Sequence, residues 1–427
     1  MTHVRSASTA PLSDDALLDL IQRRTLAYFW DFAHPASGMA RERSNPVAGY
    51  DYRDTVCSGG TGFGIMALIT GAERGFLPRA AVLERIAATV AFLGRAPSYR
   101  GVFPHFLHGE TGATIPFSEK DDGGDLVETS FLMTGLLCAR QYFSGAAAAE
   151  ASLRAAIDRL WHAVEWDWHT RDRDILYWHS SPRDGWALQQ TVTGWNECLI
   201  TYVLAAASPT HAIAPSAYHN GWTASPTFRN GASYYGIALP LGPPFGGPLF
   251  FAHYSFLGLD PRGLRDRYAD YWQQCRAHAL INRAHCIANP NGFDGYGENC
   301  WGLTACDGDA GYGAFCPQND RGVIAPTAAL ASMPYTPRES IAVARHFYED
   351  LGDSLWGRYG FVDAFNASKS WRAAGNLAID QGPIAVMIEN HRSGLLWQLF
   401  MSCAEVQFGL RRLDFEIAPP TARRPFS

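Results

Sequence analysis

The segment Asp121-Asp-Gly-Gly-Asp-Leu-Val-Glu128 carries three carboxylates, Asp121, Asp125 and Glu128, to the point where a loop turns into a helix. Side chains three and four apart share one helix face, so Asp125 and Glu128 point the same way and Asp121 lies one turn earlier. Acids near a helix start are favoured by its unpaired N–H groups, and a charged first turn is the ordinary explanation. The residues that follow, Thr129-Ser-Phe-Leu-Met-Thr-Gly-Leu-Leu137, contain no charge. A helix of that kind is buried on all sides, and carboxylates at its mouth are costly unless they are paired or perform chemistry. A second acid, Glu197 in Gly194-Trp-Asn-Glu197, precedes another apolar helix, Cys198-Leu-Ile-Thr-Tyr-Val-Leu204. Burial beside aromatic rings raises a carboxyl pKa, which suits a general acid; a structural helix-start carboxylate is the alternative.

Other polar groups fall in loops or at helix starts. Trp195 and Asn196 directly precede the second acid, Trp178 lies in an aromatic stretch upstream, and His105 and His253 sit in Phe103-Pro-His-Phe and Phe251-Ala-His-Tyr, the latter ending in Tyr254. Tyr296-Gly-Glu-Asn-Cys-Trp-Gly supplies Glu298, Asn299 and Trp301, and Ala378-Ile-Asp-Gln supplies Asp380 and Gln381. Each histidine fits a satisfied core position as well as a hydroxyl-binding one. Glu389 and Arg392, three apart, read as a structural ion pair. The aromatic residues Trp161, Trp166, Trp168, Tyr177, Trp178, Trp186, Trp195, Trp222, Tyr234, Tyr235, Tyr296, Trp301 and Trp371 concentrate in presumed loops. Any one of them fits core packing, whereas the cluster fits a groove whose rings stack on the apolar faces of sugars.

The elements that must position these groups are helical. Ser13 followed by two acids caps a helix to about Phe32, and further helical patterns cover roughly 60–74, 79–95, 124–143, 147–168, 191–206, 209–219, 261–284, 322–333, 337–351, 380–390 and 393–409. Helices apolar all round alternate with amphipathic ones such as Arg79-Ala-Ala-Val-Leu-Glu-Arg-Ile86. That alternation predicts an all-α fold with an inner ring wrapped by an outer one, an (α/α)6 barrel; a superhelix of paired helices is the alternative. No linker divides the 427 residues, so one domain spanning 1–427, with its core from about 14 to 415, is expected.

Composition narrows the chemistry. With 47% hydrophobic residues and a net charge of −6, the chain is globular and offers no basic surface for nucleic acid. No segment is long and apolar enough to span a membrane, and the first ten residues lack a secretory core. Taken as it stands the protein is cytoplasmic; a removed export signal would make it periplasmic or secreted. Nine cysteines without paired spacing read as a reduced set, and no Cys-x-x-Cys supports zinc. The serine-elbow, phosphate-loop, dinucleotide and His-Glu-x-x-His patterns are absent, so neither metal nor organic cofactor is expected. The sequence sets no oligomeric state.

Several longer motifs add to this reading: Gly123-Gly-Asp-Leu-Val-Glu-Thr129, Gly194-Trp-Asn-Glu197, Gly247-Pro-Leu-Phe-Phe-Ala-His-Tyr-Ser-Phe256, Gly297-Glu-Asn-Cys-Trp-Gly-Leu-Thr-Ala305, Gly322-Val-Ile-Ala-Pro-Thr-Ala-Ala329 and Ala378-Ile-Asp-Gln-Gly-Pro-Ile384. Together they resemble the glycoamylase-like family, glycoside hydrolase family 144, whose characterised members include endo-β-1,2-glucanases. The resemblance runs from about Leu17 to Phe415. It implies an (α/α)6 barrel and hydrolysis of β-1,2-glucan to β-1,2-glucooligosaccharides, internally and with inversion. The family's acidic positions map onto Asp121, Asp125, Glu128 and Glu197. A glycosidase needs one carboxylic acid for the leaving oxygen and one carboxylate for water or for direct attack. On that basis Glu197 is the expected acid, Asp121 or Asp125 the base, and Glu128 a positioning group. The alternatives are an exo-acting hydrolase, a transglycosylase or an inactive glucan-binding protein. Family members are often exported, and related domains occur in cyclic β-1,2-glucan synthases whose other modules this sequence lacks.

Overall fold

Ser13 does begin the first helix: its Oγ accepts the Ala16 N–H at 3.2 Å. The computed structural model describes residues 12–47 and 51–417; the N-terminal ten residues on which the compartment reading rests lie outside that range. Among the described residues the helices are α1 (Asp14–Asp31), α2 (Ser58–Glu73), α3 (Arg79–Leu93), α4 (Leu126–Tyr142), α5 (Ala148–Ala163), α6 (Leu199–Ala207) and α7 (Tyr271–Ala288). They continue with α8 (Pro326–Ala331), α9 (Pro337–Arg345), α10 (Gly352–Leu355), α11 (Ala378–Arg392), α12 (Leu395–Met401) and α13 (Ala404–Arg412). Strands are only two or three residues long, so the fold is all-α. No helix among the described residues is long and apolar enough to cross a membrane.

Two classes of helix are present. Every residue of α6 and α8 is buried, as is the run Ser58–Gly71 of α2 and Leu126–Arg140 of α4. By contrast α3 buries one stripe (Val82, Ile86, Thr89, Val90, Phe92, Leu93), and α5 another through Leu153, Ile157 and Trp161. The enclosed helices touch in sequence, α2 against α4, α4 against α6, α11 against both α2 and α8. The half-exposed ones lie outside them: α1 on α2 and α11, α3 on α2, α5 on α3 and α4, α9 on α8, and α13 on α6. One apolar cluster runs through all of them from Leu17 to Phe415.

Glycine lets α2 and α4 meet closely. A Cβ on Gly62 would stand 2.1 Å from the Phe131 carbonyl oxygen, and one on Gly135 would stand 2.1 Å from the Gly62 carbonyl oxygen. Backbone cannot rotate aside as a side chain can, so Gly135→Ala should lower stability by at least the ~1–3 kcal/mol typical of overpacking. Thermal melting checks this, with Gly94→Ala as a control: that site has φ −65° and no neighbour closer than 3.5 Å to the added carbon. Equal melting temperatures for the two variants would contradict the close-contact account.

Several boundaries differ from the sequence pattern for local reasons. The helix expected from 191 starts only at Leu199, because Thr191–Val192 pairs with Leu176–Tyr177 and Gly194 takes φ +78°. Asp270 delays α7 to Tyr271 by accepting the Gln273 N–H at 3.0 Å. The region 209–219 forms just a π-helical turn, Ala217–Trp222. The final pattern, 393–409, starts only at Leu395, after Gly394 turns left-handed at φ +72°, and divides into α12 and α13 where Cys403 is extended. Glu389 and Arg392 do not pair with each other. Arg74 holds Glu389 at 2.7 Å and Asp19 holds Arg392 at 2.6 Å, so each ties α11 to a different helix.

Candidate active site

Asp125 is the N-cap of α4. Its Oδ1 accepts the Val127 and Glu128 N–H groups, both at 3.0 Å, and the Trp178 indole N–H at 3.0 Å. Its Oδ2 meets His105 Nδ1 at 3.1 Å and His179 Nε2 at 3.6 Å. Short strand pairings arrange this: Gly124–Asp125 runs antiparallel to His179–Ser180 with Asp125 opposite His179, and Ser58 donates its N–H to the His105 carbonyl at 3.1 Å. Asp121 reaches His179 Nε2 at 3.2 Å, while Glu128 takes the Gly59 N–H at 2.8 Å and lies 3.9 Å from His105 Nε2.

Two imidazoles therefore sit among three buried carboxylates, and their charges set the protonation of the group. Burial pulls His105 down, but Glu128, Asp125 and Asp121 outweigh it and hold the ring at about 9. His179 is also raised, since the bond to Asp125 and the charges of Asp125 and Asp121 exceed its desolvation. Asp125, although desolvated, is kept well below the ordinary carboxylate range by His105 and His179. Asp121 is pushed up to about 6 by burial and by the Asp125 charge, and Glu128 is raised chiefly by burial. Asp121, Asp125 and His179 bring three potential ligand atoms within 4.8 Å of one another.

A cavity of about 430 Å³ opens beside this cluster. His105, Glu128, Trp178 and Tyr254 line it, and so does Glu197. Glu197 lies in the turn just before α6, anchored by its own carbonyl, which accepts the Ser255 hydroxyl. Burial, followed by the charges of Glu128 and Asp125, pushes its carboxyl up to about 7. Asp121 and Asp125 stand behind the wall that Glu128 and His105 present. The cavity thus holds one carboxyl suited to giving a proton near neutrality, facing a set of carboxylates of which one is held firmly ionised.

The cavity has a second polar wall, made by Glu42, Arg43 and Tyr312. Arg43 bonds Glu42 at 2.8 Å and Asp307 at 3.2 Å. Behind it, Asp363 accepts the Asp307 N–H at 2.8 Å and is pushed up to about 7 by burial and the Asp307 charge. Asp380 is raised further, by burial and by the charge of Asp363. Asp380 and Gln381 are thereby buried behind the cavity rather than lining it, and Gln381 donates to the Phe361 carbonyl at 3.2 Å.

Other expected ligand contacts move elsewhere. Trp195, 2% exposed, packs on Tyr271 at 5.7 Å, and Trp301 is fully enclosed, so neither ring presents a face to a sugar. His253 is a core histidine: its Nε2 meets the Ser332 hydroxyl at 3.0 Å, and burial takes it down to about 3. Glu298 and Asn299 are exposed on a turn outside the cavity lining. Asn196 bonds the Cys198 N–H at 2.9 Å, holding the turn that carries Glu197. Among the residues that sequence patterns do not single out, His179, Phe117, Tyr312 and Asp363 form parts of the two walls. Only Asp363 carried a local sign, an acid inside the apolar run Phe361-Val-Asp-Ala-Phe365.

The chain is similar in sequence and fold to known proteins. The family model described as putative glucoamylase matches residues 189–404. A crystal structure of a putative glucoamylase from Bacteroides uniformis is 57% identical, with a TM-score of 0.93 over 95% of this chain and 98% of that one. An endo-β-1,2-glucanase from Chitinophaga pinensis, solved with sophorotriose and glucose, is 52% identical, with a TM-score of 0.93 over 95% of this chain and 99% of that one. A curated relative from Parabacteroides distasonis, named exo β-1,2-glucooligosaccharide sophorohydrolase (non-reducing end), is 44% identical over 96% of this chain. The chain spans 59% of that relative's length. By the matched family model and by near-complete coverage at these identities, the chain belongs to the glycoamylase-like family.

Proposed function

We propose that this protein is a glycoside hydrolase that cleaves β-1,2-glucan internally, releasing β-1,2-glucooligosaccharides. The carrying observation is Glu197, a carboxyl raised to about 7 in the same cavity as Glu128, with Asp121 and Asp125 directly behind. Near neutrality Glu197 retains the proton a glycosidic oxygen needs on departure. The base function belongs to the acidic cluster, through Asp121. Asp125 spends its oxygens on two backbone N–H groups, an indole and two imidazoles, which makes it the group that fixes the others. Glu128, facing the cavity, aligns water or a sugar hydroxyl. His105, Trp178 and Tyr254 bind substrate hydroxyls and ring faces, and inversion is the stereochemical outcome.

The buried helices α2, α4, α6, α8 and α11, with the short helical turns at 249–257, supply six inner positions. That count supports an (α/α)6 barrel in one domain. Nine free cysteines, eight of them buried, support a reducing compartment. An exo-acting hydrolase releasing sophorose is the second reading, favoured by the curated relative's name. Digestion of linear β-1,2-glucan, with products separated by size and anomeric form, tests the proposal. A broad early ladder of inverted products is expected. Sophorose alone from the first time points would replace internal with terminal cleavage, and retained products would remove the inverting assignment.

The two shifted carboxyls also set the pH profile. Asp121 must be ionised to act as base, so activity falls as pH drops through about 6. Glu197 must be protonated, so activity falls as pH rises through about 7. A narrow bell for kcat/KM with its maximum between these limbs is expected, its limbs belonging to the interacting set. A profile flat to pH 9 would rule out Glu197 as the proton donor.

A further inference from the structure

Among the described residues seven large hydrophobic side chains are exposed, and three of them, Val47, Phe117 and Tyr312, line the one cavity that holds Glu128 and Glu197. Folding does not require this. Phe117 is 56% exposed and Tyr312 57%, so neither contributes much to the core. Both are nevertheless held in place. Phe117 lies flat against His105, ring centroids 4.4 Å apart and planes at 29°, and its N–H is clamped to the Asp121 carbonyl at 2.9 Å. One face of that ring is committed to the histidine, Phe106 leans on the ring at 5.6 Å and 45°, and more than half of the side chain stays exposed. Tyr312 rides on the hairpin joining Ala305–Cys306 to Gly313–Ala314. Although its ring is wet, burial and the nearby Asp380 and Asp363 drive its hydroxyl well above the usual phenol range. The ring lines the same cavity as Glu128 and Glu197. The two rings mark different walls: Phe117 the wall of Asp121, Asp125 and Glu128, Tyr312 the wall of Asp363 and Asp380.

An exposed aromatic face inside a concave, otherwise polar site is suited to the C–H face of a pyranose, which buries apolar area on both partners. We propose that Phe117 and Tyr312 are a pair of sugar-stacking platforms, each holding one glucosyl ring, so that a chain spanning both passes the carboxyls of Glu128 and Glu197. This rests on the β-1,2-glucan reading and adds to it the residues that grip the chain. They set affinity for the sugar rather than the rate of bond cleavage.

The test is steady-state kinetics on purified β-1,2-glucooligosaccharides with Phe117→Ala, Tyr312→Ala, Tyr312→Phe and Phe408→Ala beside the wild type. Each alanine platform variant should raise KM about tenfold or more, equivalent to about 1.4 kcal/mol, with a smaller change in kcat. Tyr312→Phe keeps the ring and should stay within about twofold of wild-type KM if stacking is the interaction. Phe408, 53% exposed on α13 and outside the cavity lining, should be silent. Melting temperatures should be unchanged, because the truncated rings are largely outside the core. Wild-type KM in both Phe117→Ala and Tyr312→Ala, with the wild type active, overturns the platform assignment alone. A wild type inactive on every β-1,2-linked substrate overturns the glucan reading and this assignment with it.

Discussion

Glu197→Gln is expected to lower kcat on β-1,2-glucan by about 10³-fold, within the range general acids supply, while melting as the wild type does. The amide keeps the shape of the side chain but has no proton to give. Its anchoring is through the backbone carbonyl, which accepts the Ser255 hydroxyl whatever the side chain is, so the turn before α6 should persist. The defect should also depend on the leaving group. A nitrophenolate departs with little protonation, so an aryl β-sophoroside should recover much of the lost rate, whereas a sugar leaving group should not. Removing the carboxyl should in addition erase the alkaline limb that its raised value of about 7 imposes. Near-normal turnover of the polymer by this variant would take Glu197 out of the mechanism.

Asp125→Asn is expected to damage both stability and activity, which separates it from Glu197→Gln. The asparagine carbonyl can still cap α4, since Asn is as good an N-cap as Asp. What disappears is the charge opposite His105 and His179. Removing one partner from a buried ion pair costs about 3–5 kcal/mol because the other is left uncompensated. The imidazoles that align Glu128 and Asp121 lose their anchor, and misplacement of about 1 Å at a reacting centre costs about 10²-fold in rate.

The pH dependence has a definite sign. Asp125 is depressed in the folded state, so its stabilisation is present above the ordinary carboxylate pKa of about 4 and is lost as pH falls through its folded value. His105 is raised to about 9, so its contribution is complete below about 6.5 and is lost as pH rises through about 9. Wild-type melting temperature should therefore decline as pH rises from about 6.5 to about 9, and in Asp125→Asn that decline should be smaller and end at lower pH. A variant with wild-type melting and an unmoved alkaline edge would show that the histidines do not depend on Asp125.

The acids of this site were legible in the sequence because their cost was. Asp125 and Glu128 begin a helix with no other charge, and Glu197 stands before another, so burial could be inferred from neighbours along the chain. Helix starts at Ser13 and Arg79 were legible for the same local reason. The partners of the acids were not. His179 reaches Asp125 through a two-residue strand pairing across 54 positions, and nothing in Leu176-Tyr-Trp-His-Ser180 marks that register. Aromatic residues misled in the opposite direction. Trp195 and Trp301 resemble groove residues by motif and are core by burial, while Phe117 and Tyr312 sit in unremarkable loop sequence and face the cavity. Whether a ring packs or protrudes depends on which elements close over it, a property of long-range contacts. Asp380 illustrates both cases: its position at the start of α11 suggested a site, and only the fold brings it close enough to Asp363 for that charge to add to burial in raising it.

The central claim is that the cavity between Glu197 and the Asp121–Glu128 cluster hydrolyses β-1,2-linked glucosides. Its most direct measurement is the release of reducing ends by the wild-type protein from a panel of linear glucans, β-1,2, β-1,3, β-1,4 and α-1,4, at a pH between 6 and 7. The account predicts release from the β-1,2 polymer and background release from the others. Background release from β-1,2-glucan, or preferential cleavage of the α-1,4 polymer, would contradict it.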